Sequence, residues 1–230
     1  MFDLSNTQIE NPLPGVFIFR NTLPAELNLV NRLEATIAEN EDEWFKWSEA
    51  LVGDYQKMPE YRDCVDFKVR KIDIEQKPKA AESDLKNIYN DIDERLQACL
   101  AHYCGLFNIT MNYQEAVNFV RYREGQHFQV HSDHGFSYVC SVSTVMYLNG
   151  DYEGGGLYFP FIGYTYTPQE GDIVLFPSNW LFSHAALPVT SGTKYSAVTM
   201  FDYNDRFHSP EYMQLMMKNS EMYKQQTGMA

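Results

Sequence analysis

From Val117 to Tyr203 the chain is cut into short runs of strand-forming residues, each closed off by turn residues. The runs are "VNFVRYRE", "HFQVHS", "SYVCSVSTVMYL", "GLYFP", "GYTYTP", "DIVLFP", "LFSHAAL" and "KYSAVTMFDY". Between them stand "NGDYEGGG", "PQEGD", "PSN" and "TSGT". Short strands with turn signals at this density predict two packed antiparallel sheets. The fold class that follows is α+β. Its core is a double-stranded β-helix, or jelly roll, of about eight antiparallel strands. The aromatic content of 15%, nearly all Tyr and Phe, agrees with much β structure.

The first hundred residues read differently. "LPAELNLVNRLEATIAEN" sets Leu23, Leu27, Val30 and Ile37 on one helical stripe. "SDLKNIYNDIDERLQACLAHY" does the same with Leu85, Ile88, Ile92, Leu96, Cys99 and Tyr103, and Ser83 is placed to cap it. The stretch from Asp54 to Ala80 is polar and weakly patterned, and reads as a long loop with short strands. The end, "SPEYMQLMMKNSEMYKQQ", reads as a closing helix capped by Ser209 with Pro210 at its first position. The chain is thus expected to be one domain over 1–230. Helical support and a substrate loop fill 1–110, the jelly roll fills 117–205, and a closing helix fills 209–226.

Composition narrows the partners. The 230 residues carry a formal net charge of −13. A nucleic-acid surface needs clustered Lys and Arg, so nucleic acid is excluded as a partner, and an anionic membrane is disfavoured. No segment has membrane-spanning length. Cys64, Cys99, Cys104 and Cys140 form no CxxC pair and fit a reducing compartment. "MFDLSNTQIENPLPG" lacks the basic start and apolar run of a signal peptide. A cytoplasmic location is the expectation.

Three of the six histidines fall within "HFQVHSDHGF", His127 to Phe136. On a strand His131 and Asp133 point the same way, with Cα atoms roughly 6.6 Å apart, so both can reach one ion. A third ligand has to come from elsewhere. His102 sits in the predicted helix and His208 near the C-terminal cap, which leaves His184 in "LFSHAAL". Two imidazoles and one carboxylate leave open positions on a metal, the set that suits non-haem Fe(II). Each residue also has a plainer reading: HxD recurs by chance, and a lone buried histidine can be a satisfied core residue. His127 reads as surface or as a neighbour of the ligands, and His134 has the wrong strand parity to join them.

Ten residues beyond His184 comes Lys194, past a "TSGT" that reads as a hairpin turn, which would put the lysine on the neighbouring strand. A lysine pointing into a barrel has to meet an anion. The plain alternative is a lysine on the outer face.

With these residues in order, the chain resembles the 2-oxoglutarate- and Fe(II)-dependent dioxygenases, in their prolyl 4-hydroxylase-like branch. "YREGQHFQVHSD" is similar to that branch's approach to its HxD pair. "STVMYLNGDYEGGGLYFP" resembles its Thr-containing strand and glycine-rich turn. "PQEGDIVLFPS" and "SHAALPVTSGTKYS" resemble its Gly-Asp turn and its distal histidine followed by Gly-x-Lys. The match runs from about Phe119 to Phe201.

The resemblance implies that His131, Asp133 and His184 bind Fe(II). It implies that Lys194 holds the distal carboxylate of 2-oxoglutarate, with Tyr122, Thr144 and Ser196 adding hydroxyls. O2 would be the oxidant, with ascorbate as an accessory reductant, and the partner would be a peptide or protein bearing prolyl residues. Two alternatives stay open: hydroxylation of a free amino acid or other small molecule, and a catalytically silent jelly-roll binding module. The chain departs from the pattern at Gly156-Leu157, where the branch commonly has Glu-Thr, and at Met200-Phe201, where many members have Trp. Both departures bear on the substrate's surroundings. Tyr55, Tyr61 and Arg62 of the 54–80 stretch are candidate substrate contacts. Tyr138 and Trp180 are candidate rim aromatics, and Glu153 to Gly156 is either a mobile hairpin at the mouth or a tight turn.

Overall fold

A computed structural model describes residues 2–40, 45–52, 56–135 and 138–227. In chain order the first strands are β1 (Ile9–Leu13), β2 (Val16–Phe19), β3 (Ser48–Glu49), β4 (Arg62–Asp63) and β5 (Val65–Val69). They continue as β6 (Tyr113–Gln114), β7 (Val117–Tyr122), β8 (His127–His131), β9 (Val142–Tyr147), β10 (Tyr152–Gly154) and β11 (Leu157–Phe159). The last are β12 (Tyr164–Tyr166), β13 (Ile173–Pro177), β14 (His184–Ala186), β15 (Val189–Gly192) and β16 (Lys194–Asp202). The helices are α1 (Leu29–Glu39), α2 (Lys71–Gln76), α3 (Pro78–Glu82), α4 (Leu85–Phe107) and α5 (Pro210–Thr227).

Two antiparallel sheets make the jelly roll. The larger runs β1-β2-β13-β9-β16-β7-β5-β3, with β6 paired to β16. The smaller runs β12-β11-β14-β8-β4, and β10 pairs with β15 at one end. Strand β9 is buried on both faces, which is why its run "VSTVMY" shows no alternation in sequence. Odd positions Val145 and Tyr147 pack between the sheets with Leu157, Phe159, Val174 and Phe176. Met146 faces the other way, into a second layer where Leu33, Ile88, Ile92, Leu96 and Tyr103 of α1 and α4 cover Phe119, Leu175, Ala197 and Phe201. The helices therefore seal the back of the large sheet and leave its other face to the barrel.

Several sequence expectations shift. Helix α1 begins only after Asn28, whose φ of +48° breaks the stripe, so Leu23 and Leu27 lie in the turns before it. Ser83 accepts from Leu85 N at 3.3 Å, although Asp84 occupies the cap position. At the last helix Tyr212 N donates to Ser209 Oγ at 3.1 Å and Pro210 opens the helix, as expected. The 54–80 stretch is not a loop in its second half, because β5 enters the large sheet and α2 and α3 follow it. The hairpin of β1 and β2 is a further pair, hidden in sequence by Pro12 and Pro14; β1 is an edge strand, where proline is tolerated.

Candidate metal and co-substrate site

His184 and His131 are direct cross-strand partners of β14 and β8. The strand ends at His131, so Asp133 stands in the bend beyond it rather than on the strand. The bend is held by Ser132 Oγ and His134 N, both donating to Ser178 O. One ligand atom from each of the three residues lies within 4.8 Å of the other two. Nε2 of His131 is 3.6 Å from Asp133 Oδ1, and Nε2 of His184 is 3.8 Å from Oδ2.

The tautomers follow from the partners. Nδ1 of His131 faces Gln129 O at 2.9 Å, and Nδ1 of His184 faces Phe182 O at 3.1 Å. A carbonyl only accepts, so both Nδ1 atoms carry the proton and both Nε2 lone pairs point at the shared space. Burial, then the neighbouring His184, push the His131 imidazole down to about 4, so it is neutral at ordinary pH. The carboxylate is held as well: Ser143 Oγ donates to Asp133 Oδ2, and Ser143 in turn meets Ser178 Oγ at 2.7 Å. Sequence reading missed both serines; a buried serine inside the apolar run of β9 was the available signal. It also missed Phe128, whose ring stacks on the His131 imidazole with centroids 3.7 Å apart.

Lys194 is 3% exposed, and among the described residues no carboxylate pairs with it. Its Nζ donates to Gly155 O at 2.6 Å and lies 5.4 Å and 5.2 Å from the ring centres of Tyr122 and Tyr147. Burial pushes the amine down to about 7. The route to this place differs from the expected hairpin. "TSGT" is mostly strand β15, paired to β10, and Gly192 turns the chain at φ +80°. Lys194 consequently enters the large sheet between the flanking strands β7 and β9, across the barrel from His184.

Strand parity sorts the remaining candidates. Tyr122 pairs with Lys194, and Ser196 pairs with Tyr147, all on the barrel face. Thr144 pairs with Thr199 and Leu175, on the face turned to the helices. It is therefore not beside Lys194, and its assignment as a co-substrate contact is corrected. Tyr147, three residues on, is the β9 residue that faces the barrel beside Lys194. The Tyr147 and Tyr152 hydroxyls are buried without a hydrogen-bond partner among the described residues. Burial holds the Tyr122 and Tyr147 phenols well above their usual range, so both remain donors. An uncompensated ammonium with orphaned phenol hydroxyls nearby is a cradle for a carboxylate.

The other candidates scatter. Trp180 is 72% exposed in the turn before His184. Tyr138 lies instead near His208, ring centroids 6.1 Å apart, with burial and Glu115 raising its phenol. His134 Nδ1 is taken by Cys140 O at 2.7 Å, and His127 has only long contacts to Gly125 O and Glu60 O. Glu153 and Gly154 belong to β10, so "EGGG" is a built part of the Lys194 end. Tyr61 and Arg62 pack on β8, while Tyr55 lies outside the described residues.

Comparison with known proteins places this geometry. Residues 117–202 match the family described as the 2OG-Fe(II) oxygenase superfamily. The jelly roll over those residues is thus similar to the oxygenase domain of that superfamily. A protein of Acanthamoeba polyphaga mimivirus named "Putative prolyl 4-hydroxylase" is 31% identical over 118 residues, covering 43% of this chain and 49% of the viral one. The match thus spans about half the length of that curated relative. In shape, a Trichoplax adhaerens prolyl hydroxylase, solved with a hypoxia inducible factor peptide, superposes with a TM-score of 0.65 at 15% identity. That superposition covers 82% of this chain and 84% of the other. A Pseudomonas putida prolyl-4-hydroxylase gives 0.59 at 21% identity over 81% and 92%. A viral collagen prolyl hydroxylase from Paramecium Bursaria Chlorella virus-1, solved with 2-oxoglutarate, gives 0.55 at 18% over 81% and 94%. Among the described residues no helix is long and apolar enough to cross a membrane.

Proposed function

We propose that the chain is an Fe(II)- and 2-oxoglutarate-dependent dioxygenase that hydroxylates prolyl residues of a peptide or protein. One observation carries the reading: a pair of Nε2-directed imidazoles and a carboxylate share one barrel with a buried, uncompensated lysine. The donors fit the group. Two neutral nitrogens and one anionic oxygen suit Fe(II) and leave positions free for a chelating 2-oxo acid and O2. The orphaned Tyr147 hydroxyl near Lys194 fits the far carboxylate of that acid.

When bound, Fe(II) with 2-oxoglutarate and O2 supplies the oxidation: one oxygen atom replaces a C–H bond by C–OH, and the other leaves in succinate as CO2 is lost. The chain's own residues do the placing. His131, Asp133 and His184 hold the metal, and Ser143 fixes the carboxylate's orientation. Lys194 binds the distal carboxylate, with Tyr122, Tyr147 and Ser196 lining the same face. No side chain is required as a general base. Phe159 and Phe176 pack close to His184, ring centroids 5.9 and 4.9 Å away, and keep water from its side of the site.

Succinate release from the Fe(II)-loaded chain tests the reading. It is expected to rise several-fold with proline-containing peptides and to vanish in His131→Ala. Turnover stimulated by free amino acids and by no peptide would move the assignment to a small substrate. The absence of iron-dependent succinate under any condition would remove it.

A further inference from the structure

Arg62 lies in the segment read from sequence as a substrate loop, yet its side chain faces inward. On β4 it pairs in register with Phe128 of β8. Its guanidinium carbon sits 4.9 Å from the centre of the Phe128 ring. That ring lies nearly parallel to the His131 imidazole, at 13° and 3.7 Å. The guanidinium, the phenyl and the metal-facing imidazole thus form one contact chain. A bulge in the β8–β14 register brings Phe128 and His131, three residues apart, onto the same face.

The outer end of this chain is anchored. Arg62 Nη1 donates to Leu51 O at 2.9 Å, and Nη2 donates to Asp66 at 2.7 Å. Asp66 also accepts from Asn118 Nδ2 of β7 at 3.1 Å. The inner end is loose by comparison. The His131 ring has one hydrogen bond, to Gln129 O, which fixes a nitrogen but leaves the ring free to tilt about that contact. Its other neighbours are the His184 ring, at 4.4 Å and 56°, and the Asp133 carboxylate, 3.6 Å from Nε2. Flat stacking against Phe128 is the contact that lies parallel to the ring, and Phe128 is backed by Arg62 and, edge-on at 5.6 Å, by the Tyr61 ring.

We infer that Arg62 is a positioning residue for the metal site, acting through the Phe128 ring to hold the plane of His131. The inference rests on the reading that His131, Asp133 and His184 bind a divalent ion. It ties the 56–63 segment to metal binding rather than only to substrate.

The test is Mn(II) titration of the metal-free chain, followed by the electron-paramagnetic signal of free Mn(II), in wild type, Arg62→Met, Phe128→Leu and the double variant. Arg62→Met is expected to weaken Mn(II) binding about tenfold, the scale on which supports of metal ligands act. The double variant is expected to be no weaker than Phe128→Leu alone, because both changes break one contact chain. The Co(II) absorption bands of Arg62→Met and Phe128→Leu should shift alike. Wild-type affinity in Arg62→Met, or losses that multiply in the double variant, would overturn the inference while leaving the metal reading standing. A wild-type chain that takes up no Mn(II) overturns both. Should Arg62→Met not fold, Arg62→Lys decides. It keeps the charge beside Asp66 but loses the planar face, so the same tenfold loss is expected, and unchanged affinity refutes the role.

Discussion

A buried amine facing no carboxylate is costly to protonate, and Lys194 shows this in a value pushed down to about 7. The sign for stability follows. Between about 7 and the unfolded value near 10.5 the unfolded chain holds a proton that the native chain has shed, so this residue's contribution makes the fold more stable as pH rises through that window. A bound dianion reverses the preference, because a charge partner favours the ammonium. Binding of 2-oxoglutarate to the Mn(II)-loaded chain is therefore expected to take up nearly one proton at about pH 8 and little at about pH 6. Calorimetry in buffers of different ionisation enthalpy reads this number, and Lys194→Met should abolish the uptake together with the binding. Uptake independent of pH would place the anion elsewhere. At this scale the clustering of His131, Asp133 and His184 was legible, because HxD and the elimination of His102 and His208 need only chemistry and rough placement. Thr144 was not, because β9 is buried on both faces and its composition carries no parity. Only the pairing of Ser196 with Tyr147 shows which alternate residues see the barrel.

The turn from β10 to β11 shows how an element shapes a site without contributing a functional side chain. Gly155 has φ +64°, and its carbonyl is the acceptor for Lys194. A Cβ there would stand 2.9 Å from Lys194 Cδ and 3.2 Å from the Tyr152 ring. Gly155→Ala is expected to lower 2-oxoglutarate affinity about tenfold, a difference of ~1.4 kcal/mol, through backbone strain and a displaced lysine. Mn(II) binding should stay near wild type, because the triad sits on β8, β14 and the bend between β8 and β9. Equal losses for metal and acid would show that the turn supports the whole barrel. The strands of the core were readable because turn residues bracket each one. The 54–80 stretch was readable only in part. Short strands are expected there and β5 is one, with Asp66, Phe67 and Val69 covered, but the charged composition hides α2 and α3. Strand β15, paired to the distant β10, reads as a turn for a related reason: Gly192 allows a bend that the sequence alone places one strand too early.

Across the whole molecule the division of labour is between a helical layer that covers one face of the large sheet and a barrel face left for chemistry. Leu33, Ile88, Ile92 and Leu96 are fully buried in the first, and the His131–Asp133–His184 cluster and Lys194 belong to the second. The net charge of −13 argues against a phosphate backbone as partner, but it does not identify the substrate. The central claim is that one ion and one keto diacid sit in this barrel together. Crystals soaked with Mn(II) and 2-oxoglutarate test it most directly. The account predicts a single anomalous peak bonded to Nε2 of His131, Nε2 of His184 and the Asp133 carboxylate, with the acid's far carboxylate on Lys194. A barrel without metal, or an acid bound away from Lys194, would contradict it.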